Sequence, residues 1–210
     1  MNVVLITGGI GSGKSEVCRI LKDYYGIPCY NADSRVKELY MTHPHLLRDI
    51  EVALGVSLLD ADGRFMPSVL AERIFTSDED LRLVESFVFP VLAEDFENWK
   101  SARSSSDVII ESATALEKES LAQMYDKVVV VDAPFEVRLD RACGRDASEK
   151  ETVMKRMRAQ LLMNRISDGY IDERVDYLLE NTSDMASLKR KVEEMIDKVF
   201  DDKKIIDRKV

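Results

Sequence analysis

The chain has 210 residues, enough for one α/β domain with insertions and a substantial buried core. Lys and Arg total 30 against 39 Asp and Glu, so the net charge of −9 argues against a duplex-binding surface and leaves room only for a local basic cleft. No apolar run approaches the length of a bilayer, and Cys18, Cys29 and Cys143, odd in number and without metal-ligand spacing, read as reduced thiols of a cytoplasmic protein.

The first apolar run, Val3-Val4-Leu5-Ile6, reads as a buried strand. Close behind it stands Gly8-Gly9-Ile10-Gly11-Ser12-Gly13-Lys14-Ser15, a Walker A pattern. Residues 15–25 then carry Val17, Cys18, Ile20, Leu21 and Tyr24 at helical spacing. Strand, glycine-rich turn and helix are the context this pattern needs. The glycines let backbone N–H groups converge on phosphate oxygens at a helix N-terminus. Gly11, Ser12, Gly13, Lys14, Ser15 and Glu16 are therefore the expected nucleoside triphosphate contacts. Lys14 would reach the β- and γ-phosphates, and the Ser15 hydroxyl would hold Mg2+. A glycine-rich turn without a ligand is the competing reading. The chain runs into this loop with no basic leader, so no cleaved signal is expected.

A second strand is expected over 27–30. Residues 33–105 then carry several amphipathic helices and no buried strand, an insertion suited to recognising a substrate. His43 and His45, flanking Pro44, read as a solvated helix start, and Asp62-Gly63 as a turn. Further strands are expected over 108–110 and 128–131, with a weaker one over 175–179. Strand–helix alternation of this kind implies a parallel, doubly wound sheet. Between the last two strands, residues 138–168 hold Arg138, Arg141, Arg145, Arg156, Arg158 and Arg165, with Ser148 and Glu151 spaced as a helix cap. Arg pairs bidentately with phosphate, so this stretch reads as a lid, or alternatively as an ordinary solvated helix face. A last helix is expected over 183–200, followed by a charged tail that frays.

Some nucleotide-binding classes are excluded by missing motifs. There is no Asn-Lys-x-Asp of a GTPase and no Ser-Gly-Gly-Gln of a transporter ATPase. Asp60-Ala61-Asp62-Gly63 matches the short switch pattern, but a tight turn accounts for it better. A long insertion after strand two and a late arginine cluster leave the small-molecule kinases. Within them, the Walker A block and Asn31-Ala32-Asp33 closely resemble the opening of the dephospho-CoA kinase family. The likeness continues through His43-Pro44, Glu72-Arg73-Ile74-Phe75, Phe89-Pro90-Val91-Leu92 and Val129-Val130-Val131-Asp132-Ala133-Pro134. It extends to the segment from Arg141 to Asp146, Arg156 with Gln160, and the segment from Asp176 to Asn181.

The resemblance implies a P-loop kinase fold of five parallel strands flanked by helices, with a helical CoA-side subdomain over about 33–105 and a lid over about 138–168. It implies ATP-dependent phosphorylation of the ribose 3′-hydroxyl of dephospho-CoA, with Mg2+ and with no nucleic-acid or membrane partner. By the same likeness Lys14, Asp33 and Arg145 are the catalytic candidates. Arg141 and Asn181 join the ATP contacts, and Asp33, Arg73 and Glu117 fall on the acceptor side. Three of these carry a structural alternative: helix capping for Asp33, an ion pair for Arg73, a simple turn for Asn181. The chain departs from the family pattern in three places. Asn31 replaces the first Asp of Asp-Ala-Asp, and Phe89 replaces a His. Glu111-Ser112-Ala113-Thr114-Ala115-Leu116-Glu117 replaces a Val-Pro-Leu-Leu-Phe-Glu-type segment, which places a new carboxylate at the end of the third strand. A kinase for another metabolite, and a non-catalytic nucleotide-binding module, remain the alternatives.

Overall fold

A computed structural model describes residues 1–146, 149–170 and 172–200, with the side chain of Asp146 set aside. Ser148, expected to cap a helix, and the tail beyond 200 lie outside the described residues. The chain forms two compact units. One comprises Met1–Asn31 and Ser104–Val210, the other Ala32–Arg103.

The first unit is built on a five-stranded parallel sheet in the order β2-β3-β1-β4-β5. Its strands are β1 (Asn2–Gly8), β2 (Cys29–Asn31), β3 (Asp107–Glu111), β4 (Lys127–Asp132) and β5 (Tyr177–Glu180). β1, β3 and β4 are continuous apolar runs, as strands covered on both faces must be. β2 begins at Cys29 rather than at residue 27 because Pro28 has no N–H to give the ladder, although its carbonyl accepts from Ile109 N at 2.9 Å. β5 begins at Tyr177 because Val175 N is spent on a turn to the Asp172 carbonyl. Parallel pairing brings all five carboxyl ends to one edge, so Gly8, Asn31, Glu111, Asp132 and Glu180 end there together.

Helix α1 (Lys14–Tyr25) packs on the sheet through Val17, Ile20 and Leu21, each at most 1% exposed. Burial of such side chains stabilises by about 1.5–3 kcal/mol apiece, which anchors the loop preceding the helix. Helix α9 (Met185–Val199) joins the same core through Leu188, Val192, Met195, Ile196 and Val199. Its start is capped by the Asp184 carboxylate, which accepts from Ser187 N at 2.9 Å. Between β4 and β5 lie α6 (Phe135–Asp146), α7 (Lys150–Arg158) and α8 (Leu161–Ser167). Leu139 and Ala142 of α6 meet Val153 and Met157 of α7, and Ile10 of the glycine-rich loop packs against this cluster. Two 3-10 turns, Ala115–Glu117 and Glu119–Met124, connect β3 to β4.

The second unit is helical: α2 (Ala32–Thr42), α3 (Leu46–Leu54), α4 (Pro67–Thr76) and α5 (Asp78–Ser101). α5 is the long spine on which the other three pack. Ser77 caps it, accepting from Asp80 N at 3.1 Å, and three acidic residues in the first turn complement the helix dipole. The Asp60–Gly63 segment is the tight turn expected, with Gly63 N donating to the Asp60 carbonyl at 3.0 Å.

Candidate active site

The site grows from the join between β1 and α1. Gly13 precedes the helix at φ +99° and Gly11 lies at φ +78°, conformations that side-chain-bearing residues rarely adopt. A Cβ on Gly11 would run into the backbone of Arg138, and one on Gly13 into the amide of Asn181. Glycine is therefore required twice, for backbone conformation and for close approach. Lys14 Nζ donates to the carbonyls of Gly8 at 2.9 Å and Gly9 at 3.2 Å, so its ammonium spans the loop. Ser12 is fully buried beneath it.

Three elements close around the loop. The Gln160 side-chain carbonyl accepts from Ile10 N at 2.7 Å, tying the loop to the α7–α8 junction. Asn181, just after β5, donates from Nδ2 to the Ser12 carbonyl at 2.8 Å, and its own carbonyl accepts from Arg141 at 3.3 Å. Helix α6 carries Arg138, Arg141 and Arg145 at i, i+3 and i+7, on one face. Arg138 is 1% exposed and lies against Gly9, yet among the described residues its Nε and Nη1 have no hydrogen-bond partner. Burial lowers its pKa from the usual guanidinium range, against the pull of Asp132 and Asp168. A desolvated cation with unused donors beside a phosphate loop has the chemistry of an anion clamp.

Beside the loop, a cavity of about 210 Å³ is lined by Gly13, Glu16, Arg141, Asn181, Ser183, Asp184, Met185 and Leu188. Its mixture of apolar and hydrogen-bonding walls suits a nucleobase. Glu16 is held by Arg19 through two hydrogen bonds, and this pairing lowers its carboxyl pKa. On the other side, Ser15 Oγ donates to Glu111 Oε1 at 2.5 Å, and Asn31 Nδ2 donates to Glu111 Oε2 at 2.8 Å.

Gly11, Ser12, Gly13, Lys14, Ser15, Glu16, Arg141 and Asn181 lie together around this loop and cavity. Arg145 stands in the last turn of α6, exposed. Glu117 ends the first 3-10 turn, where partial burial raises its carboxyl pKa against the attraction of Lys118 and Arg174. Asp33 belongs to the helical unit, inside the first turn of α2 rather than at its cap, two residues past the end of β2. Arg73 Nε lies 2.8 Å from Asp80 Oδ2, the structural ion pair weighed as its alternative. Three participants escaped the sequence reading. Arg138 was visible only as one of six arginines, Glu111 only as an odd acid closing a strand, and Gln160 as part of a weak likeness.

A glycine-rich loop between β1 and α1, at the carboxyl edge of a 2-3-1-4-5 parallel sheet with an arginine-bearing helix against it, defines a P-loop kinase. Comparison with known proteins narrows the class. The sequence model of a family described as dephospho-CoA kinase matches residues 2–187. A dephospho-CoA kinase of Porphyromonas gingivalis is 39% identical over 160 residues, 76% of this chain and 78% of that one. Among solved structures, a protein of Thermus thermophilus is 26% identical with a TM-score of 0.78, covering 93% of this chain and 96% of its own. A dephospho-CoA kinase from Campylobacter jejuni shares the fold at a TM-score of 0.61 and 23% identity, over 93% of this chain and 96% of its own. The chain belongs to the dephospho-CoA kinase family.

Proposed function

We propose that the chain transfers the γ-phosphoryl group of ATP to the ribose 3′-hydroxyl of dephospho-CoA, yielding CoA and ADP. The observation that carries the nucleotide half is the convergence on one loop of Lys14, Ser15 and the buried Arg138 guanidinium, whose Nε and Nη1 find no hydrogen-bond partner among the described residues. Family membership carries the acceptor.

The residues present suit Mg-ATP. Lys14 and Arg138 supply the cationic donors for phosphate, and Ser15 offers a hydroxyl ligand to a hard cation. Mg2+ bound there would neutralise charge on the β- and γ-phosphates. Asn181 and Arg141 bound the cavity in which the base would sit. Asp33 takes the proton of the 3′-hydroxyl as its oxygen attacks the γ-phosphorus and ADP leaves. Its place just beyond the carboxyl end of β2 supports that role, because open α/β sheets bind ligands at that edge. Arg145 pairs with the migrating group, while Arg73 and Glu117 serve the acceptor side. All three cysteines are free, which suits the reducing cytoplasm. Among the described residues no helix is long and apolar enough to cross a membrane.

The test is incubation with Mg-ATP and dephospho-CoA, following ADP and the mass of the product. Lys14→Ala should lower kcat by about a hundredfold or more, the scale for losing a charge-stabilising donor. Asp33→Asn should lower kcat by roughly 10²–10⁴ while leaving ATP affinity unchanged. ATP hydrolysis or binding without CoA formation would discard this acceptor and direct attention to the 111–117 segment.

A further inference from the structure

Glu111 closes β3, one strand over from β1, and is 6% exposed. Register pairs it with Ile6 on one side and Asn31 on the other, which sets its carboxylate beside the loop end of β1. Both oxygens are engaged, Oε1 by the Ser15 hydroxyl at 2.5 Å and Oε2 by the Asn31 amide at 2.8 Å. Neither partner carries a charge. A buried carboxylate held only by neutral donors retains most of its desolvation cost, and a cation nearby would relieve it. Ser15 supplies the second half of the argument. A serine that ligates a cation through an oxygen lone pair must send its own O–H elsewhere, and here it goes to Glu111.

Resting on the reading of this loop as a Mg-ATP site, we propose that Glu111 is the positioning residue of the metal. Its carboxylate accepts the hydrogen bond from the Ser15 hydroxyl, which leaves the hydroxyl lone pairs for the cation, and it supplies a fixed negative charge outside the direct ligands. Asn31 holds the carboxylate in place. Carboxylate, hydroxyl and amide form one chain across the ends of β2, β3 and the start of α1. The chain therefore carries its metal-side acid on β3, and the residue ending β2 is an amide that orients it. Hydrogen-bonded groups behind metal ligands typically change metal affinity by about 10–100-fold.

The experiment is calorimetric titration of ATP into the parent protein, Glu111→Gln and Glu111→Asp, each with excess Mg2+ and with EDTA. The ratio of the two affinities isolates the contribution of the metal. In the parent, Mg2+ should tighten ATP; a parent that binds no ATP would overturn the nucleotide reading itself rather than the role of Glu111. Glu111→Gln should bind ATP in EDTA as well as the parent or better, but lose about tenfold or more of the gain from Mg2+. Glu111→Asp, which keeps the charge, should retain more of that gain than Glu111→Gln. Electron paramagnetic resonance of Mn2+ in the ADP complex should show the same order of metal affinities. Two results would overturn the proposal: an undiminished Mg2+ gain in Glu111→Gln, or equal losses in both variants. Removing an unneutralised buried charge should also leave the ligand-free protein melting at the same temperature or higher. A Glu111→Gln chain that melts lower or fails to fold would make Glu111 a structural residue and refute the idea.

Discussion

Arg138 and Glu111 are buried charges on opposite sides of one loop, and among the described residues neither has an ion-pair partner in contact with it. Such groups cost stability in the ligand-free protein and repay it when the complementary charge arrives. For Arg138 this has a measurable sign. Arg138→Met keeps an unbranched apolar stem while removing the buried guanidinium. The ligand-free variant should be as stable as the parent or more stable by about 1 kcal/mol or more in chemical denaturation, because an unsatisfied buried donor costs that much. ATP binding should weaken by about tenfold or more, the scale of a lost charge-assisted hydrogen bond. A destabilised variant with intact ATP affinity would make Arg138 a packing residue. From sequence, the family likeness picked out Arg145 and Arg141 and left Arg138 as one more arginine of a charged stretch. Only the approach of α6 to Gly9 singles out Arg138, by burying it.

At the scale of elements, the turn into β5 is tied to the segment after β3. Arg174 donates to both oxygens of Asp172, at 2.9 and 2.6 Å, and from its remaining terminal nitrogen to the Leu116 carbonyl at 2.7 Å. These bonds hold the Asp172 carboxyl below the ordinary carboxylate range. A carboxyl whose pKa is depressed on folding contributes stability that is complete above its unfolded value, near 3.8, and is lost as pH falls through the folded value. Asp172→Asn should therefore be less stable than the parent at pH 7 and show a flatter stability profile below about pH 4. The check is urea denaturation at pH 7, 5, 4 and 3; parallel profiles for both proteins would remove Asp172 from the acid response. The sequence reading marked Val175 as the start of this strand from its apolarity. The structure delays the strand because the 172–175 turn uses the N–H that a strand would have paired.

For the whole molecule, Glu111, Arg138, Gln160 and Asn181, which contact the phosphate loop, belong with it to the unit of Met1–Asn31 and Ser104–Val210, while Asp33 and Arg73 belong to Ala32–Arg103. Ligands should therefore register unevenly. Saturating Mg-ATP, at about a hundred times its Kd, should add roughly 2.7 kcal/mol to whatever opening exposes the loop. Hydrogen exchange should slow most at residues 8–16, 135–145 and 180–185, with the helices from α2 to α5 changing less. Equal protection of both units by ATP alone would show that they open as one cooperative body.

Length, the Walker A block between a strand and a helix, and strand–helix alternation determined the fold class and the nucleotide loop from sequence alone. They could do so because a P-loop is made by contiguous residues whose backbone requirements, glycine at positive φ and lysine at the helix start, are local. Glu111 with Ser15, Asn181 with Ser12, and Arg138 with Gly9 are separated by 96, 169 and 129 positions. No periodicity or spacing reports such pairings. Strand order and helix docking bring them together, and burial then decides which of several similar charged side chains is left facing the ligand.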